Sequence, residues 1–210
     1  HPVDPTAEAA ILYREVHTNF EFSTSSGFYM VTDVFERVKI YTKKGFDWAS
    51  KEGELYQGNS GSNDKIEEVK LRNDGIFEEK TTKYVHKLKF TMPDIREGCV
   101  IEYKYSIKSP FISNIDEFRF QETIPVDNVD VRFASPEYFV FKTHQKGWVP
   151  YKVKTEGRDR TIALSNARTE YDKYGNIINK GGARDLKYKE DTSLINLSDV
   201  PALKEEAYAG

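Results

Sequence analysis

Alternation of apolar and polar residues runs through much of the chain and predicts β-strands. The clearest run is residues 100–108, where apolar side chains are separated by charged or small polar ones: Ile101, Tyr103, Tyr105 and Ile107. A period of two places one set of side chains on a buried face and the other in water. Residues 84–92 alternate in the same way, and the link between the runs contains Pro93 and Gly98. We therefore expect the two runs to be neighbouring strands that form a hairpin.

Other segments show strand patterns with turn residues between them. Three apolar sets mark further strands: Leu12, Val16, Phe20 and Phe22; Val34, Val38 and Ile40; Phe139 and Phe141 with Thr143. Glycine-containing turns predict a hairpin around Glu156-Gly157-Arg158 and turns at Asn73-Asp74-Gly75 and Tyr174-Gly175-Asn176. Residues 56–64 are polar and rich in glycine and serine, which indicates a mobile loop.

Few residues show a helical pattern. Residues 47–56 allow a turn or two after Gly45, and residues 198–208 predict a short C-terminal helix with Ser198 or Asp199 as its cap. Residues 179–193 are expected to form an irregular segment that separates the β-rich body from this last segment. The sequence therefore predicts an all-β fold, an antiparallel β-sandwich with one or two short helical segments.

Composition narrows the functional classes. Charged residues make up 31% of the 210 residues, but the signs nearly cancel at a net charge of −3. This balance disfavours a nucleic-acid partner, because such proteins carry a basic patch or stripe. No run approaches the roughly 18 apolar residues of a membrane span. The first residues, HPVDPTAE, contain no initiator methionine, so we expect a processed or trimmed chain.

Cys99, the lone cysteine, raises the question of nucleophilic catalysis. A reactive thiol needs a lowered pKa from a partner histidine, a helix N-terminus or a nearby cation. Counting back from Ile101 places Cys99 on the core face, where a small buried thiol is the ordinary outcome. A pair between Cys99 and His86 across the predicted hairpin remains an alternative. His17 has the opposite parity to Val16, so we expect it to face solvent.

No other signature of an enzyme emerges. The histidines lack metal-ligand spacing, and a single cysteine permits no internal disulfide. Paired carboxylates such as Glu67-Glu68 flank turns or polar strand faces, where solvation is the default. The loop GNSGSND lacks the Gly-Lys-Ser/Thr ending of a phosphate-binding loop. We therefore expect no metal, no cofactor and no catalytic residue in this chain.

Three segments carry a resemblance to a known family. The first, residues 90–110, and the second, residues 116–147, contain its recurring residues: Pro93, Ile95, Gly98, Cys99, Val100, Ile101, Glu102, Tyr103 and Tyr105, then Phe118, Phe120, Gln121, Pro125 and Val126. The third is LSDVPALKEEAY, residues 197–208. Together they resemble the domain of unknown function that precedes transglutaminase-like domains in exported bacterial proteins. The family often has serine in place of Cys99, which favours a small-residue role over a nucleophile.

The resemblance implies an organisation and a location. Residues 1–195 would form a β-sandwich accessory domain, and residues 196–210 a linker to a papain-like transglutaminase domain that carries Cys-His-Asp chemistry. The expected function is to support or orient that partner domain in a periplasmic or extracellular protein whose signal peptide has been removed.

The motif residues have structural interpretations of their own. Gly98 is expected to adopt a backbone angle denied to other residues or to allow close approach. Glu102 falls on the polar strand face, and Pro125 is expected to end a strand or lie on an edge. Gln121 is expected to hydrogen-bond a neighbouring backbone edge or connection, with ligand contact as the alternative.

Two other functions remain open from the sequence. Aromatic residues, including Tyr103, Tyr105, Phe118, Phe120 and Tyr138, would allow a glycan- or peptide-binding module, with Trp148 and Tyr151 as candidate ligand contacts. The other alternative is a hydrolase or acyltransferase that uses Cys99.

Overall fold

A computed structural model describes residues 1–2, 4–56, 65–71, 76–81, 85–113, 115–146, 149–164, 170–179 and 184–203. In this part of the chain a 3-10 helix spans Lys43–Ala49, and the strands follow in chain order: β1 (Ala9–Ser23), β2 (Gly27–Ile40), β3 (Ser50–Tyr56), β4 (Lys65–Leu71), β5 (Ile76–Thr81), β6 (Val85–Thr91), β7 (Val100–Ser109), β8 (Val126–Pro136), β9 (Lys154–Leu164), β10 (Glu170–Tyr171), β11 (Ile177–Asn179) and β12 (Arg184–Val200). The all-β class predicted from alternation is confirmed.

The strands form one large sheet and two small ones. The large sheet has the order β4-β7-β2-β1-β8-β12-β9, the second has the order β3-β6-β5, and β10 pairs with β11. Strands β1 and β8 run parallel, whereas the other pairs in the large sheet are antiparallel. The large sheet is therefore mixed rather than purely antiparallel.

The core lies on one face of the large sheet. Side chains from five of its strands are buried together: Ile11, Val38, Ile101, Val129, Val131 and Ile195. Phe90 of β6 and Ala49 at the end of the 3-10 helix belong to the same cluster. The Phe90 ring centroid lies 5.3 Å from that of Tyr103 on β7. The β3-β6-β5 sheet thus packs face to face against the large sheet, which gives the two layers of a sandwich.

The predicted hairpin between residues 84–92 and 100–108 is wrong. Both segments are strands, but β6 pairs with β3 and β5, whereas β7 pairs with β2 and β4. The link between β6 and β7 leads from one sheet to the other and has positive backbone φ angles at Asp94 and Gly98. Alternation identified each strand correctly, but it carries no information about which sheet a strand joins.

The predicted hairpin around Gly157 is also wrong, because residues 154–164 form the single strand β9. Its register with β12 continues without a break from Lys154 to Leu164. The irregular segment predicted for residues 179–193 is wrong, because most of these residues belong to β12, a strand of 17 residues. The error at Gly157 has a simple reason: β9 is an edge strand of the large sheet, and a glycine and several charged residues are compatible with an exposed edge strand as well as with a turn.

Residues 137–144 form no strand, and the predicted face is confirmed for Phe139 and Phe141 but wrong for Thr143, which is exposed. The rings of Phe139 and Phe141 lie 5.1 and 5.7 Å from that of Phe20, while Val140 is exposed. The turn at Tyr174-Gly175-Asn176 is confirmed by the β10-β11 hairpin, where Gly175 N–H donates to Asp172 O at 3.1 Å. For residues 137–144, the alternation of apolar and polar residues therefore predicted a strand where the chain pairs with no neighbouring strand.

The remaining expectations concern loops and the C-terminal segment. Ser198–Val200 belong to β12 and not to a helix, and β12 crosses the predicted boundary at residue 195. Residues 204–210, the turn at 73–75 and the loop at 57–64 lie outside the described residues. Strands β4 and β5, which flank the 73–75 turn, belong to different sheets. Within the described ranges, no helix has the length and apolar character needed to cross a membrane.

Candidate functional site

Cys99 lies immediately before β7 and packs against the core. It is partly buried and contacts the same cluster as Ile101 and Tyr103, the face that alternation assigned to it. Its carbonyl accepts a hydrogen bond from Ile40 N–H at 3.0 Å, and its own N–H donates to Arg96 O at 3.2 Å. The side chain of His86 lies outside the described residues, so the alternative Cys99–His86 pair stays untested.

Gly98 has a backbone φ of +81°, which L-residues rarely adopt. A Cβ built at this position would meet no atom within 4 Å, so the angle and not close approach requires glycine. Gly98 N–H donates to Ile40 O at 2.9 Å, and Lys39 Nζ donates to Gly98 O at 2.5 Å. These bonds fix the link against the end of β2.

The other motif residues have clear partners. Glu102 accepts from Arg37 Nε at 2.5 Å on the outer face of the large sheet. The expectation that Pro125 ends a strand or lies on an edge is wrong: it directly precedes β8, an interior strand of the large sheet, and is buried. Its carbonyl accepts from Ile11 N–H at 2.9 Å. Gln121 donates from Nε2 to Pro201 O at 2.9 Å, a bond to a backbone connection of the kind expected.

The aromatic residues do not form one exposed platform in the part of the chain described. Tyr103 is buried, and the other partly buried rings pack against the core: Tyr105, Phe118, Phe120 and Tyr151. The Tyr151 and Phe120 rings meet edge to face at 5.2 Å. Tyr138 is 51% exposed, but its hydroxyl donates to Lys187 O at 3.1 Å. Trp148 lies outside the described residues.

A row of polar side chains crosses the buried face of the large sheet. Arg14, Glu36 and Tyr103 are cross-strand neighbours on β1, β2 and β7. Their exposed fractions are 5%, 5% and 1%. Buried charges are costly unless they are paired and hydrogen-bonded, so their partners decide whether the row stabilises the fold.

Every charge in this row has a partner. Arg14 donates from Nε to Glu36 Oε1 at 2.9 Å and from Nη1 to Arg119 O at 2.8 Å. Its Nη2 lies 2.9 Å from Glu122 Oε1. The other oxygen of Glu36 accepts from the Tyr103 hydroxyl and lies 3.1 Å from Lys51 Nζ. We call Arg14, Glu36, Lys51, Tyr103 and Glu122 the buried network.

The network perturbs the acidity of its members. Burial raises the pKa of the Glu36 carboxyl, but Lys51, Arg14 and the Tyr103 hydroxyl outweigh burial and hold this pKa below its ordinary value. Burial likewise opposes the charge of Arg14, yet Glu36 and Glu122 raise its pKa. Burial and Glu36 raise the pKa of Tyr103 well above its usual value, and that of Tyr105 to about 12. The arrangement therefore favours ionised Glu36 and Arg14 beside neutral tyrosines.

Sequence reasoning missed these network residues, although a signal was present. Arg14 shares the parity of Val16 and Phe20, and Glu36 lies between Val34 and Val38 on the apolar side of β2. Opposite charges at core positions of two neighbouring strands indicate a buried pair. Glu122 carried no such signal, because it lies in a segment without regular structure.

The network touches the segment where the chain leaves the sheet. Glu122 O accepts from Leu203 N–H at 2.7 Å, beside the bond from Gln121 to Pro201. Residues 201–203, which follow β12, are thus tied to a segment that the buried Arg14 also holds. We call Gln121 and Glu122 the exit clasp.

A shallow groove of about 240 Å³ on the outer face is lined by seven residues: Tyr13, Asn128, Val129, Asp130, Asn196, Leu197 and Ser198. Typical ligand sites have volumes of roughly 300–1,000 Å³. Among the described residues, no group of three or more His, Cys, Asp or Glu side chains is arranged to hold a metal ion.

The family described as a domain of unknown function with a solved structure, DUF3857, matches residues 64–169, which is just over half of the chain. No curated protein matches the sequence. A crystal structure of a candidate protease from Parabacteroides distasonis ATCC 8503 matches 96% of this chain and 37% of its own, with a TM-score of 0.52 and 15% identity.

A second solved structure is more distant. An M1 zinc metallopeptidase from Deinococcus radiodurans matches 90% of this chain and 42% of its own, with a TM-score of 0.35 and 8% identity. The chain therefore spans less than half the length of either protein. The Parabacteroides structure shows a shared fold, and the metallopeptidase supports no further comparison.

Proposed function

The chain belongs to the DUF3857 family, and from this premise we propose that it is a non-catalytic domain that supports and orients a catalytic domain on its C-terminal side. We propose further that this partner is transglutaminase-like and that the whole protein is exported. The resemblance of residues 90–110, 116–147 and 197–208 supports both parts of the proposal.

The exit clasp is the observation that carries the proposal. A domain that orients its neighbour needs a connection with a defined direction, because a free linker samples many. Here Gln121 binds Pro201 O and Glu122 binds Leu203 N–H just beyond β12. The chain after Val200 therefore leaves the sheet with its backbone held at two positions.

Two further observations favour a supporting role over catalysis. Cys99 packs against the core, and the buried network satisfies its own charges with one another. The shared fold with a much longer chain, the candidate protease from Parabacteroides, is consistent with a domain that forms part of a larger protein.

The test is to express what the parent gene encodes after Gly210 and to assay three proteins: the full-length product, this chain alone, and the part that follows it. Transfer of a labelled amine to glutamine and hydrolysis of casein measure the two activities of papain-like enzymes. We expect this chain alone to be inactive and the following part to lose kcat/KM when it is separated from this chain. A stop codon directly after Gly210, or turnover by the 210-residue chain, would contradict the proposal.

A further inference from the structure

Glu122 bonds in two directions at the point where the chain leaves the large sheet. Its Oε1 atom lies 2.9 Å from Arg14 Nη2, and its carbonyl accepts from Leu203 N–H at 2.7 Å. The adjacent Gln121 donates from Nε2 to Pro201 O at 2.9 Å. One dipeptide therefore connects the buried arginine to the outgoing chain.

The outgoing chain and β12 are held in different ways. Residues 190–194 of β12 pair with β8 on one side and β9 on the other, and pairing with β8 continues to Val200. Beyond Val200, the hydrogen bonds recorded for residues 201–203 within the described ranges come from Gln121 and Glu122. Residues 115–122 form no helix or strand. The exit clasp therefore holds the outgoing chain by one side-chain bond and one main-chain bond, and not by a sheet ladder.

Opening the exit clasp would leave the sheet intact. The Glu122 side chain is 20% exposed and can be solvated when it separates from Arg14. Arg14 would keep Glu36, at 2.9 Å from its Nε, and so would retain one carboxylate partner in the core. Segments held by few bonds open with a lower free energy than the sheets they rest on.

We propose that the exit clasp is a latch that opens locally and releases Pro201–Leu203 while the large sheet stays folded. The latch gives the outgoing chain two states, one with a fixed direction and one without. Its use as a control on the following domain rests on the proposed function, but the latch itself does not.

Native-state hydrogen exchange of the 210-residue chain tests the latch at single amides. The variants are Gln121→Ala, which removes the bond to Pro201, and Glu122→Gln, which removes the charge facing Arg14. We expect the Leu203 amide to exchange on the order of tenfold faster in each, since one such bond contributes about 1–1.5 kcal/mol. The amides of Thr192 and Ser193, where β12 is paired on both sides, should exchange at the wild-type rate.

Two matched controls separate the latch from a general effect. Gln145→Ala removes an equivalent bond, from Nε2 to Val149 O at 3.1 Å, away from the exit. Glu102→Gln removes the charge facing Arg37 on the outer face. Neither should change exchange at Leu203. If Glu122→Gln does not fold, Gln121→Ala carries the test alone.

The latch is overturned if Leu203 exchanges at the wild-type rate in the folded variants, or if Thr192 and Ser193 accelerate with it. Faster exchange at Leu203, with exchange at Thr192 and Ser193 unchanged, supports the latch whatever the activity of the full-length protein. An unchanged kcat/KM in a full-length variant with an open latch would count against orientation of the partner, and so against the proposed function and not the latch.

Discussion

Individual residues of the buried network occupy positions on β1, β2 and β7 that would otherwise hold apolar core side chains. The cross-strand row Arg14–Glu36–Tyr103 forms only when these three strands hold the observed register. A slip of one residue would move the charges to the other face and leave their partners behind. We infer that the network specifies the register of the large sheet in addition to any stability it contributes.

Loss of the central carboxylate should be costly. Glu36→Gln removes the negative charge that faces both Arg14 and Lys51 while keeping the size of the side chain. Breaking a buried ion pair costs roughly 3–5 kcal/mol, because the remaining charge is left uncompensated. Urea unfolding of the purified variant measures this difference.

The matched variant is Glu102→Gln, which removes the same charge from an arginine pair on the outer face. Arg37 is 46% exposed, so the loss should stay below about 1 kcal/mol. Equal losses in the two variants would show that the buried network has no special role in stability.

The lowered pKa of Glu36 predicts that the free energy of unfolding decreases in acid. Because the folded-state pKa lies below the unfolded value of about 4.3, this group contributes stability that is fully present above that pH. The contribution is lost as pH falls through the folded pKa, when the carboxyl becomes protonated beside Arg14 and Lys51. The difference in unfolding free energy between the wild type and Glu36→Gln should therefore be largest above the unfolded pKa and shrink as the pH falls through the folded pKa. A constant difference between pH 7 and pH 2 would contradict this assignment.

Single residues differed in how far the sequence could predict their roles. The positive φ of Gly98 and the backbone partner of Gln121 were each predicted beside an alternative, which was close approach for Gly98 and ligand contact for Gln121. Arg14 and Glu36 were identifiable in principle from their parity. Lys51 and Glu122 were not, since they reach the network from other parts of the chain.

Among the elements, the link between β6 and β7 carries the chain from one sheet to the other and has positive φ angles at Asp94 and Gly98. Gly98 adopts a φ of +81° in open space, so a methyl group would strain the backbone without a clash. Gly98→Ala should destabilise the fold by about 1 kcal/mol. Thermal and urea unfolding measure the change.

Gly157 offers the comparison within β9. Its backbone does not lie in the left-handed region, and a Cβ would meet the Oδ1 atom of Asp191, the end of a flexible side chain, at 3.2 Å. Gly157→Ala should therefore be neutral or stabilise by up to about 1 kcal/mol through the unfolded chain. A larger loss at Gly157 than at Gly98 would refute this account of the two positions.

Strand identity was more predictable than strand partnership. Alternation located β1, β2, β6 and β7, because a half-buried strand imprints a period of two on its own residues. Partnership depends on contacts distant in sequence, so β6 and β7 were wrongly joined and β9 was wrongly divided. The parallel pairing of β1 with β8 left no local signal at all.

At the scale of the whole molecule, the contact between the large sheet and the β3-β6-β5 sheet includes a charge as well as apolar rings. Lys51, on β3 of the small sheet, lies 3.1 Å from Glu36 on β2 of the large sheet. The same network reaches Glu122 and, through its carbonyl, the outgoing chain. Sheet packing and chain exit are therefore joined by one set of bonds.

We propose that catalysis in the full-length protein belongs to a domain that follows this chain and does not use Cys99, and this proposal is the central claim. The direct measurement is kcat/KM of the full-length protein with Cys99→Ala, with thermal unfolding as the check on its fold. We predict that the variant keeps the activity of the wild type, because Cys99 packs against the core beside Ile101 and Tyr103. Loss of activity in a variant that remains folded would contradict a non-catalytic domain.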